Sequence, residues 1–249
     1  MLLEREEVNP DQPDMEYGQT PFSWAAENGH EGVVKMLLQR ADANPDRAEV
    51  GSGRTPLAWA AKKGHEGVVK MHLQWGGVDP DRADTEYGAT PLSLAAENGH
   101  SGVVRILLDR EVNPDQADSE YGRTPLSWAA EGGREEVVKM LLERENVNAD
   151  RVDTGSGLTS LSWAVEKGHK DVVKMLMARK GFRPSMENNL NQTSLPLALS
   201  EGHDGVKRIS PQQDTAGCAA TDLGGLRSLP PFAIPQGKHG GDAIQPSRS

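Results

Sequence analysis

The sequence predicts an all-α repeat solenoid, and three observations carry that prediction. A threonine recurs at Thr20, Thr55, Thr90, Thr124, Thr159 and Thr193, in steps of 35, 35, 34, 35 and 34 residues. Around each, the text G-x-T-P-L-S-W-A-A-E-x-G-H-x-x-V-V-K-M-L-L returns, almost complete from Gly18 to Leu38 and from Gly122 to Leu142. Self-similarity at a fixed period marks a repeat array. Only 4% of the 249 residues are aromatic, and Ala, Val and Leu supply most of the apolar material. The core is therefore thin and made of small pieces, as in a stack whose units touch only their neighbours.

Each unit opens with a short first helix. Thr before Pro, as in Thr20-Pro21 and Thr124-Pro125, is a helix N-cap followed by proline at the first helical position, where its missing N–H is no loss. The helix carries Leu-x-x-Ala-Ala spacing on one side and stops at Gly29, Gly64, Gly99, Gly133, Gly168 and Gly202, since glycine takes the left-handed cap without strain. A second helix follows at once, and the histidines His30, His65, His100, His169 and His203 are expected to help open it. Its apolar residues, such as Val33, Val34, Leu37 and Leu38, form one stripe on an otherwise charged helix, and that stripe must be covered by a neighbour. The unit closes on Asn9-Pro10-Asp11, Asn44-Pro45-Asp46, Asp79-Pro80-Asp81 or Asn113-Pro114-Asp115. Proline forbids helix there and Asx side chains bond their own backbone, which gives an extended turn. The single-residue deletions fall after Leu107-Leu108 and Leu176-Met177, where this loop begins.

The units resemble the ankyrin-repeat family. Its pattern G-x-T-P-L-H-x-A-A-x-x-G-H-x-x-V-V-x-x-L-L is matched by Gly18, Thr20, Pro21, Ala25, Ala26, Gly29, His30, Val33, Val34, Leu37 and Leu38, and by their equivalents in the next four units. A tetratricopeptide array has a similar period, but its Trp, Gly and Tyr positions are missing and its helix pair leaves no room for a proline-rich turn. One departure from the family is systematic. The histidine after Thr-Pro-Leu is replaced by Ser23, Ser93, Ser127 and Ser162 and by Ala58, which puts in doubt the inter-repeat hydrogen bonding it usually supplies. Trp24, Trp59, Trp128 and Trp163 follow it and are expected to restore stability by apolar stacking between neighbours. The likeness among the units is also similar to that of arrays joined to nucleotide-binding regulators in filamentous fungi.

On this register residues 1–17 are a partial repeat, the end of a second helix and its finger. Ankyrin repeats span 18–52, 53–87, 88–121, 122–156 and 157–190, and 191–209 are a degenerate, truncated repeat in which Pro196 intrudes in the first helix and whose second helix is ended early by Pro211. Residues 210–249 hold six Gly and five Pro without period and are expected to be a disordered tail, unable to offset their chain entropy by burial. Met1 to Glu6 matches Met140 to Glu145, so the chain reads as a fragment that starts inside a second helix.

Charge and chemistry narrow the function. A net charge of −10 repels a phosphate backbone, so nucleic acid is not an expected partner. No apolar run reaches the roughly 18 residues of a membrane span, and Met1-Leu2-Leu3 runs into Glu4, Arg5, Glu6 and Glu7 without a signal-peptide core. The lone Cys218 cannot form an internal disulfide, and an intracellular protein, cytoplasmic or nuclear, is expected. The five histidines sit one repeat apart, beyond sharing a metal. The Asp-rich turns lack the glycine and terminal glutamate of a calcium loop. Motifs for phosphate binding, a nucleophile elbow or a zinc protease do not occur, so neither cofactor, small-molecule substrate nor enzymatic activity is expected.

What remains is a surface. The resemblance implies that a protein partner is gripped by the turn tips and the exposed side of the first helix, which together line a concave groove. The varying positions there are Glu16, Tyr17, Gln19, Arg54, Glu86, Tyr87, Glu120, Tyr121 and Arg123 on the fingers. On the first helices they are Glu27, Asn28, Lys62, Lys63, Glu97, Asn98, Glu131, Glu166 and Lys167. Tyrosines are frequent interface anchors, and a mostly acidic groove with a Lys62-Lys63 island suits a partner with basic and apolar features. The expected function is thus a non-catalytic interaction scaffold. The alternative is a sensor or autoinhibitory arm of a larger nucleotide-hydrolase signalling protein whose catalytic part lies upstream.

Overall fold

The computed structural model describes residues 9–179. Among them lie ten helices and no strand. The first helices are α1 (Pro21–Glu27), α3 (Pro56–Lys63), α5 (Pro91–Asn98), α7 (Pro125–Glu131) and α9 (Ser160–Glu166), and the second helices are α2 (Glu31–Leu38), α4 (Glu66–Trp75), α6 (Ser101–Leu108), α8 (Glu135–Leu142) and α10 (Lys170–Ala178). First helices pack on first helices and second on second, in two layers joined by contacts within each pair. The degenerate repeat, the expected tail and Cys218 lie outside the described residues.

The local signals act as read. Thr20, Thr55, Thr90, Thr124 and Thr159 each accept the amide of the residue three on through Oγ1, at 3.1–3.2 Å, and proline holds the first position in four of the five. Gly64 and Gly99 close α3 and α5 with φ of 80° and 77°. In α1, α7 and α9 the last helical turn ends one residue earlier, at Asn28, Gly132 and Lys167, and a left-handed glycine follows. The Asx turns also form: Asn9, Asn44, Asp79, Asn113 and Asn148 each accept the amide two residues on.

The core is a ladder of small apolar side chains. Leu57, Ala60 and Ala61 with their equivalents fill the first-helix layer, and Val34, Leu37 and Leu38 with theirs fill the second. Alanine allows first helices to approach closely, and Leu37, Leu57, Leu92, Leu107, Leu126 and Leu141 are wholly excluded from water in the stack. One rung differs: His72 stands where Leu37, Leu107, Leu141 and Leu176 stand elsewhere, and it is fully buried.

The histidines do something other than cap. They occupy the N-cap positions, yet none makes a side-chain cap bond. Instead the ring nitrogens Nε2 of His65, His100 and His169 reach back 38 residues to the carbonyls of Glu27, Lys62 and Glu131, at 2.8–2.9 Å. Arg134, which replaces histidine in its repeat, donates Nε to the Glu97 carbonyl at 3.0 Å. This brace answers the question raised by the missing Thr-Pro-Leu histidine. The serines there bond locally to their own cap threonines, and Ser127 additionally bonds Ser160 of the next repeat.

Candidate functional site

The fingers are shaped by one carboxylate each. Asp14, Asp84, Asp118 and Asp153 accept amides at the turn tip through Oδ1, as in Tyr121 N and Gly122 N to Asp118 at 2.6 and 3.0 Å. For the exposed Asp14, the Tyr17 amide first of all holds its carboxyl below the usual range and hence ionised. Neighbouring fingers are stitched tip to tip. Thr85 N donates to Ser52 O at 2.9 Å, Ser119 N to Tyr87 O at 2.9 Å and Thr154 N to Tyr121 O at 2.8 Å. The hydroxyls of Thr85 and Ser119 donate to the same carbonyls.

The tryptophans tie finger to helix. The indole N–H of Trp59 donates to Glu49 at 3.0 Å, that of Trp128 to Asp118 at 2.9 Å and that of Trp163 to Asp153 at 2.7 Å, always ten residues back. In place of the expected apolar stacking between neighbours, cations lie over the indole rings. The Arg123 guanidinium lies 4.5 Å from the Trp128 centroid and 3.7 Å from that of Trp163 in the next repeat, and Arg54 and Lys62 lie 5.0 and 5.3 Å from Trp59. The indoles are thus the feature of this face that motif reading missed. The legible signal was an acidic residue ten positions before every one of the four.

The positions named from sequence fall into two groups. Arg54 and Arg123 are 7% and 9% exposed and engaged inside the array. Arg54 donates Nε to Asp84 at 3.1 Å and pairs with Glu86, while Arg123 donates to Glu131 at 2.6 Å beneath the Trp163 ring. The others reach the surface. Glu16, Tyr17, Asn28, Lys63, Glu86, Glu120 and Lys167 are exposed, and Gln19, Glu27, Lys62, Tyr87, Glu97, Asn98, Tyr121, Glu131 and Glu166 are half-buried. Asn28 and Asn98 each donate to the carbonyl four residues back.

Several of these residues meet across repeats. Gln19 donates to Glu27, which pairs with Lys63 at 3.3 Å, and Lys167 pairs with Glu131 at 3.6 Å and Glu166 at 3.4 Å. Burial beside Arg54 lowers the Lys62 ammonium. Glu86 and Glu120, bonded to the hydroxyls of Tyr87 and Tyr121, hold both phenols above their ordinary value. Tyr87 rests on Ala58, Ala89 and Leu94. The face is therefore a row of aromatic rings edged by carboxylates, with the cations mostly paired. Among the described residues no group of three or more His, Cys, Asp or Glu could hold a metal ion, and no helix is long and apolar enough to cross a membrane.

Family models for ankyrin repeats match residues 1–84 and 67–153, as three-copy arrays, and residues 156–189, as a single repeat. A search among curated proteins finds no match to the chain.

Proposed function

Because the chain belongs to the ankyrin-repeat family, whose repeats generally serve protein interaction, we propose that it is a non-catalytic scaffold holding a partner protein on its finger and first-helix face. The observation that carries this reading is the contrast between frame and face. The caps, glycines, brace and leucine ladder repeat nearly unchanged, while the equivalent exposed or half-buried places carry tyrosine at 17, 87 and 121 but serine at 52, and glutamate at 27, 97 and 131 but lysine at 62. A face of this kind could supply the ~800 Å² per partner typical of specific complexes. Its half-buried aromatic rings resemble the anchors that dominate binding energy elsewhere. The excess of glutamates over lysines on it favours a basic partner.

The test compares captured proteins quantitatively. Replacing Tyr87 and Tyr121 by Ala is expected to reduce partner recovery at least tenfold with an unchanged circular dichroism spectrum. Replacing Lys35 and Lys70, exposed on the second helices, is expected to leave recovery intact. Equal recovery with and without the tyrosines, or loss through the lysine variants instead, overturns the assignment of this face.

A further inference from the structure

The Lys62-Lys63 island divides in two once the side chains are placed. Lys63 pairs with Glu27 of the preceding repeat at 3.3 Å. Lys62 has no carboxylate within 4.0 Å among the described residues. Its ammonium lies 5.3 Å from the Trp59 centroid, over a ring that already carries the Arg54 guanidinium at 5.0 Å. Arg54 is neutralised by Asp84 and Glu86, each at 3.1 Å. In the other repeats Glu27, Glu97, Glu131 and Glu166 hold the place of Lys62. For three of them the array supplies the counter-ion, Lys63 to Glu27 and Lys167 to Glu131 and Glu166. The reversed sign at 62 has no such answer, although helix pairs stand on both sides of it.

This charge is held where water screens it only in part. Lys62 is half-buried, and burial first, then Arg54, weakens its hold on a proton, with Glu97 and Glu86 acting the other way. Its main chain is fixed, since the Lys62 carbonyl accepts Nε2 of His100 at 2.9 Å. One helical turn earlier on α3, and so on the same side, stands Ala58. It takes the place of the serine of the other repeats, and Leu94 takes that of a tryptophan; the two pack together, with Tyr87 against them. The cation therefore borders an apolar floor at the junction of two repeats.

We infer that Lys62 is a specificity-determining residue of this face, receiving an aspartate or glutamate of the partner whose neighbouring apolar side chain rests on Tyr87. The inference rests on the reading of this face as the partner-binding one. The glutamates of the face attract a basic segment, and the one acidic residue placed at Lys62 fixes the register in which that segment lies. At Glu27 or Glu131 the same carboxylate would meet a like charge.

The test selects from a phage-displayed library of random peptides on the full chain and on its Lys62→Met and Lys62→Glu variants, each shown to be folded by an unchanged circular dichroism spectrum. Peptides selected on the parent are expected to carry Asp or Glu beside Leu, Ile or Phe. Lys62→Glu should select Lys or Arg at that place, and Lys62→Met neither sign. A synthetic copy of a parent-selected peptide with its acidic residue made neutral, Gln for Glu or Asn for Asp, is expected to bind the parent about tenfold more weakly, as loss of one charge-assisted hydrogen bond implies. The Lys62→Met variant should bind both copies alike. The same peptides selected with and without Lys62, or equal weakening by the neutral copy on both proteins, overturns the role of Lys62. Recovery of no peptide on the parent also overturns it and leaves the face to its tyrosine test. Selected peptides held undiminished when Tyr87 and Tyr121 are replaced by Ala overturn the face itself.

Discussion

His72 is the residue at which the ladder departs most from its own rule. Its Nδ1 meets the Val68 carbonyl at 3.1 Å, its ring meets Phe22 edge-on at 4.9 Å, and its Nε2 has no partner among the described residues. Burial drives its proton affinity down, to a pKa of about 4 from 6.5. The unfolded chain therefore takes up a proton as pH falls below about 6.5 and the folded chain resists until about 4, so stability declines as pH is lowered across that window. The slope is about 1.4 kcal/mol per pH unit. Asp46, Asp81 and Asp115 shift the opposite way, raised chiefly by burial, and favour the folded state at low pH. His72→Leu leaves these carboxylates alone, so comparing the two proteins isolates the histidine. The variant is expected to be the more stable at pH 7, and its advantage should grow by about 2 kcal/mol at pH 5 in denaturant unfolding. Parallel pH profiles for the two proteins would show that the ring is hydrated after all.

At the scale of the element, two glycines in unlike places show what the repeat requires. Gly88 sits at a finger tip with φ of 73°, and a Cβ there would lie 2.6 Å from the amide of Ser119, the donor that stitches this finger to the next. Gly88→Ala is expected to lower stability by about 2 kcal/mol or more, through strain and the lost tip bond. Gly32, in the first turn of α2, has open space around its Cβ position. Gly32→Ala should be neutral or raise stability by up to about 1 kcal/mol, and chemical denaturation of the pair checks both. Elements of this kind were legible in the sequence because threonine, proline, glycine and Asx act on backbone within four residues of themselves. The histidines were misread for the same reason. A residue at an N-cap position looks like a cap, and only packing on the preceding repeat reveals that its ring bonds a carbonyl 38 residues back. The indole bonds were missed likewise, since they need the finger folded back on its helix. Leu94 shows the rule by exception: with no indole there, Asp84 receives Arg54 instead.

Across the whole array, coupling between repeats is local. Arg123 is the densest single joint, bonded to Glu131 in its own repeat and lying on Trp163 in the next. Arg123→Ala is expected to destabilise this junction by about 2 kcal/mol. In a solenoid that loss is not shared evenly. Hydrogen exchange should quicken in α9 and α10 and change little in α1 to α4; uniform loss of protection would mean that the repeats unfold only together. The sequence alone conveyed the stacking, because the period and apolar stripes leave no other way to hide the core. It did not convey which variable residues are structural, since Arg54 and Arg123 look like surface arginines until the rings around them are placed.

The histidine brace bears on how such a chain can change. Its acceptors are the main-chain carbonyls of Glu27, Lys62 and Glu131, and of Glu97 where arginine substitutes. Those four residues occupy the same first-helix place, and their side chains differ in charge. Because a carbonyl is the same whatever side chain it carries, mutation can rewrite the charge of the surface at these sites while the joint beneath stays intact. New surfaces can thus be explored one repeat at a time, without a compensating change in the neighbour.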